Sequence, residues 1–504
     1  MNGDAIINKP SINMDDMIMA YKDEYILFIR QKLGIVIGHQ LSEMIKTIKE
    51  ACQKFHCNPE AYLNKLKECP DDSPLLEHLI LGITIGETYF FRDKNQMNLL
   101  RNSILPELIS HKRNNNDFTI RIWSAGCSSG EEIYTIAMIL NDILSDIKDW
   151  TIHLIGTDIN TKVLHKAIIG KYTEWSMRSI DQREKNKYFK KVSNHYLLIP
   201  EIKNQVYFFY LNLNSDLYPS MLNQIYSQDL ILCRNVLIYF DYECIKHIMN
   251  RFHACLQPNG YLMLGASDPV SQLDLKKLYV INKNALLKCA SDTDISAINQ
   301  KPLKPESQII PKTIKFETRP IKHKTILVHP IQSIDKKLNE LIGNQQWQAV
   351  IDLIDNNITT DNKNEFLNTK ALAYANLGKL DIALKITESY LKKYSTNQYA
   401  YLTHSLILSE LNELNKSEQA LRNAIFLDNQ FVLGHFQLGL LLLRKKLISQ
   451  GVKSLKNALN IATHEQNTKI VPGSQGITFG EFTETLKHEI DIYQSRIEDH
   501  EQIK

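Results

Sequence analysis

The sequence predicts an α/β domain placed between helical domains. From Phe118 to Cys289, strand-like apolar runs alternate with helical runs, a pattern typical of βαβ units around a mainly parallel sheet. Before and after this region, apolar residues recur three and four positions apart, as they do in amphipathic helices. At 504 residues the chain exceeds what one hydrophobic core usually organises. The expected divisions are an N-terminal helical domain over 15–116, the sheet domain over 117–290, a linker over 291–330, helical repeats over 331–470 and a C-terminal helical tail over 471–504.

The bulk composition is that of a folded protein with no whole-chain preference for nucleic acid or a membrane surface. The chain is 43% hydrophobic and 23% charged, and its net charge is only +3. No stretch approaches the ~18 uninterrupted apolar residues that a membrane helix needs, and the start lacks a signal-peptide pattern. We therefore expect a cytoplasmic protein. The eight cysteines form no CxxC pair, so we expect buried reduced thiols and no metal site.

The N-terminal region has the periodicity of several short helices. The runs Tyr25 to Leu33 and Leu41 to Phe55 place apolar residues three and four positions apart. The pair Asn58-Pro59 opens a third helix, since Asn is a good N-cap and Pro suits the first helical position. Lysines recur across these helices at 46, 49, 54, 65 and 67. A solvated helix face is the ordinary explanation for them.

A turn of small residues follows the first strand of the α/β region. Between Ser124 and Glu132 the chain passes through Ala125 and Gly126 into a helix. Small residues let a ligand approach the backbone closely, and free amides at a helix start suit a polar or anionic group. A nucleotide-like cofactor is therefore expected here. The glycine spacing is not the full GxGxxG pattern, and an ordinary tight βα turn is the alternative.

The next strand, Ile152 to Thr157, ends in Asp158. In open α/β sheets ligands bind beyond the carboxyl ends of the strands, and an acidic residue after the second strand can accept hydrogen bonds from ribose hydroxyls. We expect Asp158 to have this role. The alternative is that it caps the helix beginning near Asn160.

Two further segments bring arginines to the same region. The apolar strand from Leu230 ends in Arg234 and Asn235, with Tyr239 five residues beyond Arg234. An aromatic run places Arg92 where the helical domain meets the sheet domain. Arginine presents a planar fork that matches a carboxylate. The alternatives are a surface arginine at a strand end and a tyrosine in the core.

A 34-residue repeat runs through the C-terminal region. Ala383, Ser417 and Gly451 are spaced by 417 − 383 = 34 and 451 − 417 = 34. Three further sets follow the same period: Ala371, Ser405 and Gly439; Tyr374, Leu408 and Leu442; Tyr390, Ala424 and Ala458. Helix-turn-helix units of this length, with small residues where helices cross, are typical of tetratricopeptide repeats, which usually bind a protein or peptide. A generic helical bundle is the alternative.

In this order, the segments resemble the CheR family, the chemotaxis receptor glutamate methyltransferases. The resemblance covers roughly Tyr21 to Cys289 and rests on ETYFFRD (87–93), WSAGCSSGEE (123–132), GTDI (156–159), LNL (211–213) and CRNVLIYFD (233–241). It implies an S-adenosylmethionine-dependent methyltransferase sheet domain of class I, a helical N-terminal domain and a small β-subdomain inserted at about 172–210. The implied reaction is methyl esterification of glutamate side chains on the cytoplasmic helical domain of methyl-accepting chemoreceptors.

The resemblance also implies site residues. Arg92, Arg234 and Tyr239 would orient the substrate. The positions expected to bind S-adenosylmethionine are Thr88, Arg92, Ala125, Gly126, Glu132, Asp158, Asn212, Leu213, Arg234 and Asn235. The sequence departs from the family at Gly86, where some members carry Asn, and in GASDP (265–269), where several relatives have GHSE.

The implied chemistry suits these residue types. A glutamate side chain has a reference pKa of about 4.3, so at neutral pH it is already a nucleophilic carboxylate and needs no strong base. Catalysis would come from aligning the carboxylate with the methyl-sulfur bond and excluding water. Two alternatives remain open at this point. One is a methyltransferase of the same fold that acts on another substrate, such as a small molecule, and the other is a non-catalytic signalling scaffold.

The expected partners are proteins. The resemblance adds a second explanation for the N-terminal lysines, namely docking on the acidic helices of a receptor. Some relatives recognise a receptor's C-terminal peptide through an extended loop of the β-subdomain, but residues 190–196 leave only a short turn here. We therefore expect no strong dependence on such a peptide. The repeats would bind a further, unidentified protein or peptide.

Overall fold

The computed structural model describes residues 13–38, 40–69, 73–84, 86–215, 217–269, 278–282, 286–289, 337–342, 346–357, 366–474 and 476–502. The expected linker at 291–330 lies outside the described residues. No described helix combines the length and the apolar character needed to span a bilayer. Within the same residues, no three His, Cys, Asp or Glu side chains cluster so as to hold a metal ion.

The N-terminal helices form two packing units. The helices are α1 (Met14–Ala20), α2 (Lys22–Leu33), α3 (Leu41–Lys54), α4 (Pro59–Glu68), α5 (Pro74–Ile83), α6 (Lys94–Leu99) and α7 (Leu105–Asn114), with a π-helical turn (Leu100–Ile104) joining the last two. Asn58 caps α4 as predicted, since its side chain accepts from the Ala61 amide. Helices α1 to α5 share one core around Tyr25 and Tyr62, whereas α6 and α7 pack into the core of the sheet domain. The predicted domain end at 116 is therefore too late, because the separate helical core ends at Ile83.

The sheet domain is doubly wound, as the alternation predicts. Its strands are β1 (Thr119–Ala125), β2 (Thr151–Asp158), β6 (Val206–Tyr210), β7 (Gln228–Cys233), β8 (Leu256–Leu264), β9 (Leu278–Asn282) and β10 (Leu286–Cys289), in the order β6-β2-β1-β7-β8-β10-β9. Strands β6, β2, β1, β7 and β8 are parallel, and β10 runs antiparallel to both β8 and β9. Helices α8 (Glu131–Ile143), α9 (Thr161–Ile169) and α12 (Tyr242–Cys255) connect them.

A small antiparallel sheet is inserted between α9 and β6. It consists of β3 (Lys171–Tyr172), β4 (Phe189–Val192) and β5 (His195–Leu198), and the same insertion carries α10 (Gln182–Tyr188) and α11 (Pro200–Lys203). The predicted extent of 172–210 is too long, because β6 pairs with β2 in the large sheet. Val192 pairs with His195, so only two residues form the turn between β4 and β5. This agrees with the short turn expected there.

The C-terminal region consists of paired helices with the predicted period. The helices are α13 (Trp347–Asn357), α14 (Leu367–Asn376), α15 (Leu380–Lys393), α16 (Gln398–Glu410), α17 (Leu414–Leu427), α18 (Val432–Arg444), α19 (Ile448–Ala462) and α20 (Phe479–Gln502). The second helices of three pairs begin at 380, 414 and 448, which are 34 residues apart. The small residues meet where the helices cross: Ser405 Oγ lies 2.8 Å from Ser417 Oγ. A Cβ on Gly451 would lie 2.8 Å from Leu443 and 3.0 Å from the Gly439 oxygen. The tetratricopeptide prediction is confirmed.

The first helices of the repeats pack against the sheet domain. The equivalent positions Asn376 and Glu410, 34 residues apart, both contact it: the Asn376 oxygen accepts from Ser227 Oγ at 3.2 Å, and Glu410 accepts from Arg121 Nη2 at 2.6 Å. On α18, Gln437 donates to the Leu222 oxygen at 2.8 Å. These contacts lie at the amino ends of the strands, since Arg121 is near the start of β1. The repeats therefore cover the edge of the sheet that faces away from the carboxyl ends.

The last helix is also docked. On α20, the ring of His488 stacks on Tyr210 at 4.1 Å between centroids, and Phe482 and Leu486 join the same core. The expected C-terminal tail thus packs on the outer strand β6 and on α9.

Candidate functional site

A cavity of about 300 Å³ lies at the carboxyl ends of β1, β2 and β7, opposite the edge covered by the repeats. Such a volume is at the lower end of the range for small-molecule sites. Side chains from the N-terminal helices, the turn after β1, the end of β2 and the loop after β7 line it. The predicted site residues among them are Thr88, Arg92, Gly126, Glu132, Asp158, Asn212, Leu213, Arg234, Asn235 and Tyr239. Ala125 is fully buried at the end of β1 and does not line the cavity.

The turn after β1 brings backbone close to the cavity. Gly126 has φ +76°, and a Cβ there would lie 2.6 Å from Val236 Cγ2, so only glycine fits. The amides of Gly126 and Cys127 donate to the Thr157 oxygen at 2.8 and 2.9 Å, which ties the turn to the end of β2. Helix α8 starts four residues later, so its free amides point toward the cavity side of the sheet.

Asp158 links the turn to the next helix. Its Oδ2 accepts from the Ser128 amide and its Oδ1 from the Asn160 amide, each at 2.9 Å. Burial raises the pKa of this carboxyl, and the backbone amide donors oppose that rise. The N-cap of α9 is Asn160, whose side chain accepts from Val163, while Asp158 accepts from the amide of Asn160 itself. The Asp158 carboxylate also lines the cavity.

Arg234 is fixed by groups of the protein itself. Its Nε donates to Gln96 Oε1 at 2.6 Å, its Nη1 to Glu132 Oε2 at 3.0 Å, and its Nη2 to the Arg92 oxygen at 2.6 Å. Ser124 Oγ donates to the other oxygen of Glu132 at 2.7 Å. The guanidinium is buried among these acceptors. This arrangement favours a role for Arg234 in holding Glu132 and the Arg92 backbone rather than in reaching a substrate.

The loop that follows Arg234 is held by a residue that the sequence reasoning missed. Asp268 accepts from the amides of Gly265 and Asn235 at 2.7 and 2.8 Å, and from Ile238 at 3.3 Å. Burial raises the pKa of Asp268, while these donors lower it. Asn235 has φ +59°, a conformation that the Asp268 contacts help to hold. The segment GASDP carried this signal, since it places an acid just after a strand on the same sheet edge.

Gln96 is the second support that the sequence did not reveal. It is fully buried on α6, and its Nε2 donates to the Leu264 oxygen at 2.8 Å while its Oε1 accepts from Arg234. The glutamine thereby connects the ends of β7 and β8 below the cavity. No pattern in the sequence marked it, because it lies outside the recognised motifs.

The cavity mouth carries Arg92 and Tyr239. Arg92 Nη1 donates to the Glu87 oxygen at 2.8 Å, and its guanidinium lies 5.8 Å from the Tyr89 ring centroid. Burial raises the pKa of Tyr239, and the charge of Arg92 opposes this rise. Both side chains are partly exposed, so they remain accessible from the solvent. A cation and a phenol thus stand together at the entrance.

Gly86, where some members of the family carry Asn, lies against Ser128. The Gly86 oxygen accepts from Ser128 Oγ at 3.0 Å. A Cβ at this position would lie 3.0 Å from Ser128 Oγ and 3.3 Å from Val163. An asparagine, as some relatives carry, would therefore require Ser128 to shift. In this chain Ser128 occupies that space.

Residues 86–284, which include most of the sheet domain and the segment before it, match the family model described as "CheR methyltransferase, SAM binding domain". The "Chemotaxis protein methyltransferase" of Borreliella burgdorferi is 34% identical over 268 residues, which cover 52% of this chain and 90% of the relative. "Chemotaxis protein methyltransferase Cher2" of Pseudomonas putida is 31% identical, with 50% and 90% covered. "Chemotaxis protein methyltransferase 1" of Pseudomonas aeruginosa is 36% identical, and the match covers 40% of this chain and 72% of the relative.

The cavity fits the cofactor that the matched domain binds. Asp158 presents a carboxylate at the cavity wall, the turn at Gly126 leaves no side chain in the way, and the amides at the start of α8 lie at the same edge. Two of the relatives are matched over nine tenths of their own length and about half of this chain. The chain therefore belongs to the CheR methyltransferase family, and its cofactor is S-adenosylmethionine.

Proposed function

We propose that the chain transfers the methyl group of S-adenosylmethionine to glutamate side chains on the cytoplasmic helices of methyl-accepting chemoreceptors. The observation that carries the proposal is the pairing of Arg92 and Tyr239 at the mouth of the cofactor cavity. A guanidinium and a phenol there suit an incoming carboxylate, because both donate hydrogen bonds to oxygen. The names of the relatives support the chemotaxis setting.

The proposed division of labour follows from the contacts. Asp158, Asn212 and the turn at Gly126 would hold the cofactor, which supplies an electrophilic methyl group when bound. Arg92 and Tyr239 would orient the acceptor carboxylate toward that methyl group. Arg234 would act one step away, by fixing Glu132 and the Arg92 backbone. A glutamate is ionised at neutral pH, so the protein would not need to remove a proton from it. The protein would instead align the carboxylate with the methyl group and exclude water.

Three of the five N-terminal lysines lie beside carboxylates of the N-terminal helices. Lys49 pairs with Asp15 at 3.0 Å and Lys67 with Glu24 at 2.8 Å, while Lys46 lies 3.9 Å from Glu50. These ion pairs favour the solvated-face explanation for the three lysines. We therefore do not assign receptor binding to them.

We propose that the partner of the repeats binds the face formed by their second helices. The first helices already contact the sheet domain through Glu410 and Gln437. On the second helices, Phe426 is 90% exposed. A partner bound there would leave both the sheet contact and the cavity undisturbed.

The test uses the full chain, labelled S-adenosylmethionine and a purified cytoplasmic receptor fragment. A carboxyl methyl ester is hydrolysed by mild alkali, so the label should be released as methanol, and mass spectrometry should locate it on glutamate. A receptor fragment in which the labelled glutamates are changed to alanine serves as the control. Label that resists alkali, or that appears only on small molecules from an extract, would contradict the proposal.

A further inference from the structure

Two groups of exposed or half-buried side chains lie beside the cofactor cavity. The first group is Tyr89, Trp175 and Arg178, and the second is Val36 and Ile238; together we call them the apolar rim. We propose that the apolar rim is the surface on which a helical segment of the acceptor protein docks beside its methylated glutamate. This inference rests on the proposed function and extends it by naming the contact surface.

The first group is a stack that ends in an exposed indole. The Arg178 guanidinium lies 3.5 Å from the centroid of Tyr89 and 4.1 Å from that of Trp175. Its Nη2 also donates to Glu87 at 3.1 Å, and both Glu87 and Tyr89 line the cavity. Trp175 is nevertheless 64% exposed. The stack therefore holds a large aromatic surface in place without covering it.

The second group comes from other parts of the chain. Ile238 lines the cavity, precedes Tyr239 in a short 3-10 turn and is 43% exposed. Val36, from the segment after α2, donates its amide to the Tyr239 oxygen at 2.8 Å and is 40% exposed. Exposed apolar side chains thus lie next to Tyr239, and the exposed ring of Trp175 lies in the same stack as Tyr89.

The composition and the position of the rim indicate a protein as the occupant. Trp, Tyr and Arg are the residues enriched at the energetic centres of protein interfaces. Trp175 does not line the cavity, so a small carboxylic acid bound inside would not need it. A helix would reach it, because residues three and four positions from the acceptor glutamate lie on the same helix face. The cation of Arg92 at the mouth complements that glutamate, and small or apolar neighbours would complement the rim.

The experiment compares single variants of the full chain in methyl transfer to a purified receptor fragment. Trp175→Ala should raise the KM for the receptor about 10-fold, the loss expected for a residue at the centre of an interface, with little change in kcat. Ile238→Ala should raise it in the same direction. Trp175→Phe keeps an aromatic ring and should stay within about threefold of the unmodified chain. Calorimetry should give an unchanged affinity of Trp175→Ala for S-adenosylmethionine, which also reports that the sheet domain is folded.

Matched controls remove equally exposed side chains elsewhere. Phe118, next to β1 at the opposite edge of the sheet, is 42% exposed, and Leu27 on α2 is 53% exposed. Their alanine variants should leave the receptor KM unchanged. If the unmodified chain methylates the receptor and Trp175→Ala behaves like these controls, the rim proposal is overturned and the proposed function stands. If the unmodified chain transfers no methyl group to any receptor fragment, both are overturned.

Discussion

Replacing Glu410 by alanine should loosen the repeats from the sheet domain. Glu410 and Arg121 are joined at 2.6 Å, and their side chains are only 4% and 7% exposed. Burial by itself raises the pKa of Glu410, but the charge of Arg121 contributes to lowering it, so the carboxylate is ionised at neutral pH. Alanine would leave the Arg121 guanidinium buried without its partner. Breaking a buried pair in this way costs about 3–5 kcal/mol.

This loss of stability should weaken the contact between the repeats and the sheet domain. We would measure urea unfolding by circular dichroism, together with calorimetric binding of S-adenosylmethionine. The cofactor cavity lies at the opposite ends of the strands, so the cofactor affinity of Glu410→Ala should stay close to that of the unmodified chain. Changing both partners to apolar residues of similar size, Arg121→Met with Glu410→Leu, should recover most of the stability.

A control of the same residue type lies three positions along the chain. Glu413 pairs with Lys416 at 3.3 Å, and these side chains are 49% and 69% exposed. Glu413→Ala should therefore change stability by less than about 1 kcal/mol. If Glu410→Ala unfolds at the same urea concentration as Glu413→Ala, the buried contact between the repeats and the sheet domain does not form in solution.

Three further predictions concern single side chains. Asp158→Ala should weaken S-adenosylmethionine binding about 10-fold by calorimetry, because a ribose acceptor is lost, and unaltered affinity would contradict that role. Gln96→Ala should lower the free energy of unfolding by about 1–3 kcal/mol, because it leaves an N–H of Arg234 unpaired. The same variant should also lower kcat. Gln96→Glu keeps the acceptor for Arg234 and should lose less activity. Burial raises the pKa of Glu489 on α20 to about 8, above the ~4.3 of an unfolded chain. The folded chain therefore holds an extra proton between these values, and its stability falls as the pH rises toward 8. Glu489→Gln should reduce the drop in melting temperature between pH 6 and 8.5, and equal drops would rule this out.

Local sequence patterns predicted most of the helices and strands. They did not predict which sheet or which core each of these elements joins. The repeats could be predicted because close helix crossings restrict residue size at Ala383, Ser417 and Gly451, one repeat after another. The length of the β-subdomain could not, because the apolar run of β6 fits a strand in either sheet and only its pairing with β2 assigns it. For the same reason periodicity predicted a helical region over 15–116 without showing which core α6 and α7 enter.

The contact between the repeats and the sheet domain could not be predicted from the same 34-residue period. Positions 376, 410 and 444 are equivalent, yet they hold Asn, Glu and Arg. The Asn376 main-chain oxygen accepts from Ser227 and the Glu410 side chain accepts from Arg121, whereas Arg444 donates to Ser409 within the repeats. The three positions thus make different contacts, so no shared residue type appears in the sequence. A repeat period reveals contacts between repeats, where the partner also repeats. It does not reveal contacts with a partner that does not repeat.

In the site, the sequence predicts where the residues lie but not where their side chains point. Strand ends and motif spacing place Arg234, Tyr239 and Arg92 at one edge of the sheet, and the cavity lining agrees. Spacing cannot give the direction of a guanidinium, which depends on acceptors that arrive from distant parts of the chain. Gln96 on α6 and Glu132 on α8 supply those acceptors to Arg234. An arginine whose donors bond to buried acceptors of the protein serves alignment only indirectly. We therefore propose Arg92 and Tyr239, which are partly exposed at the entrance, as the residues that would contact an acceptor carboxylate.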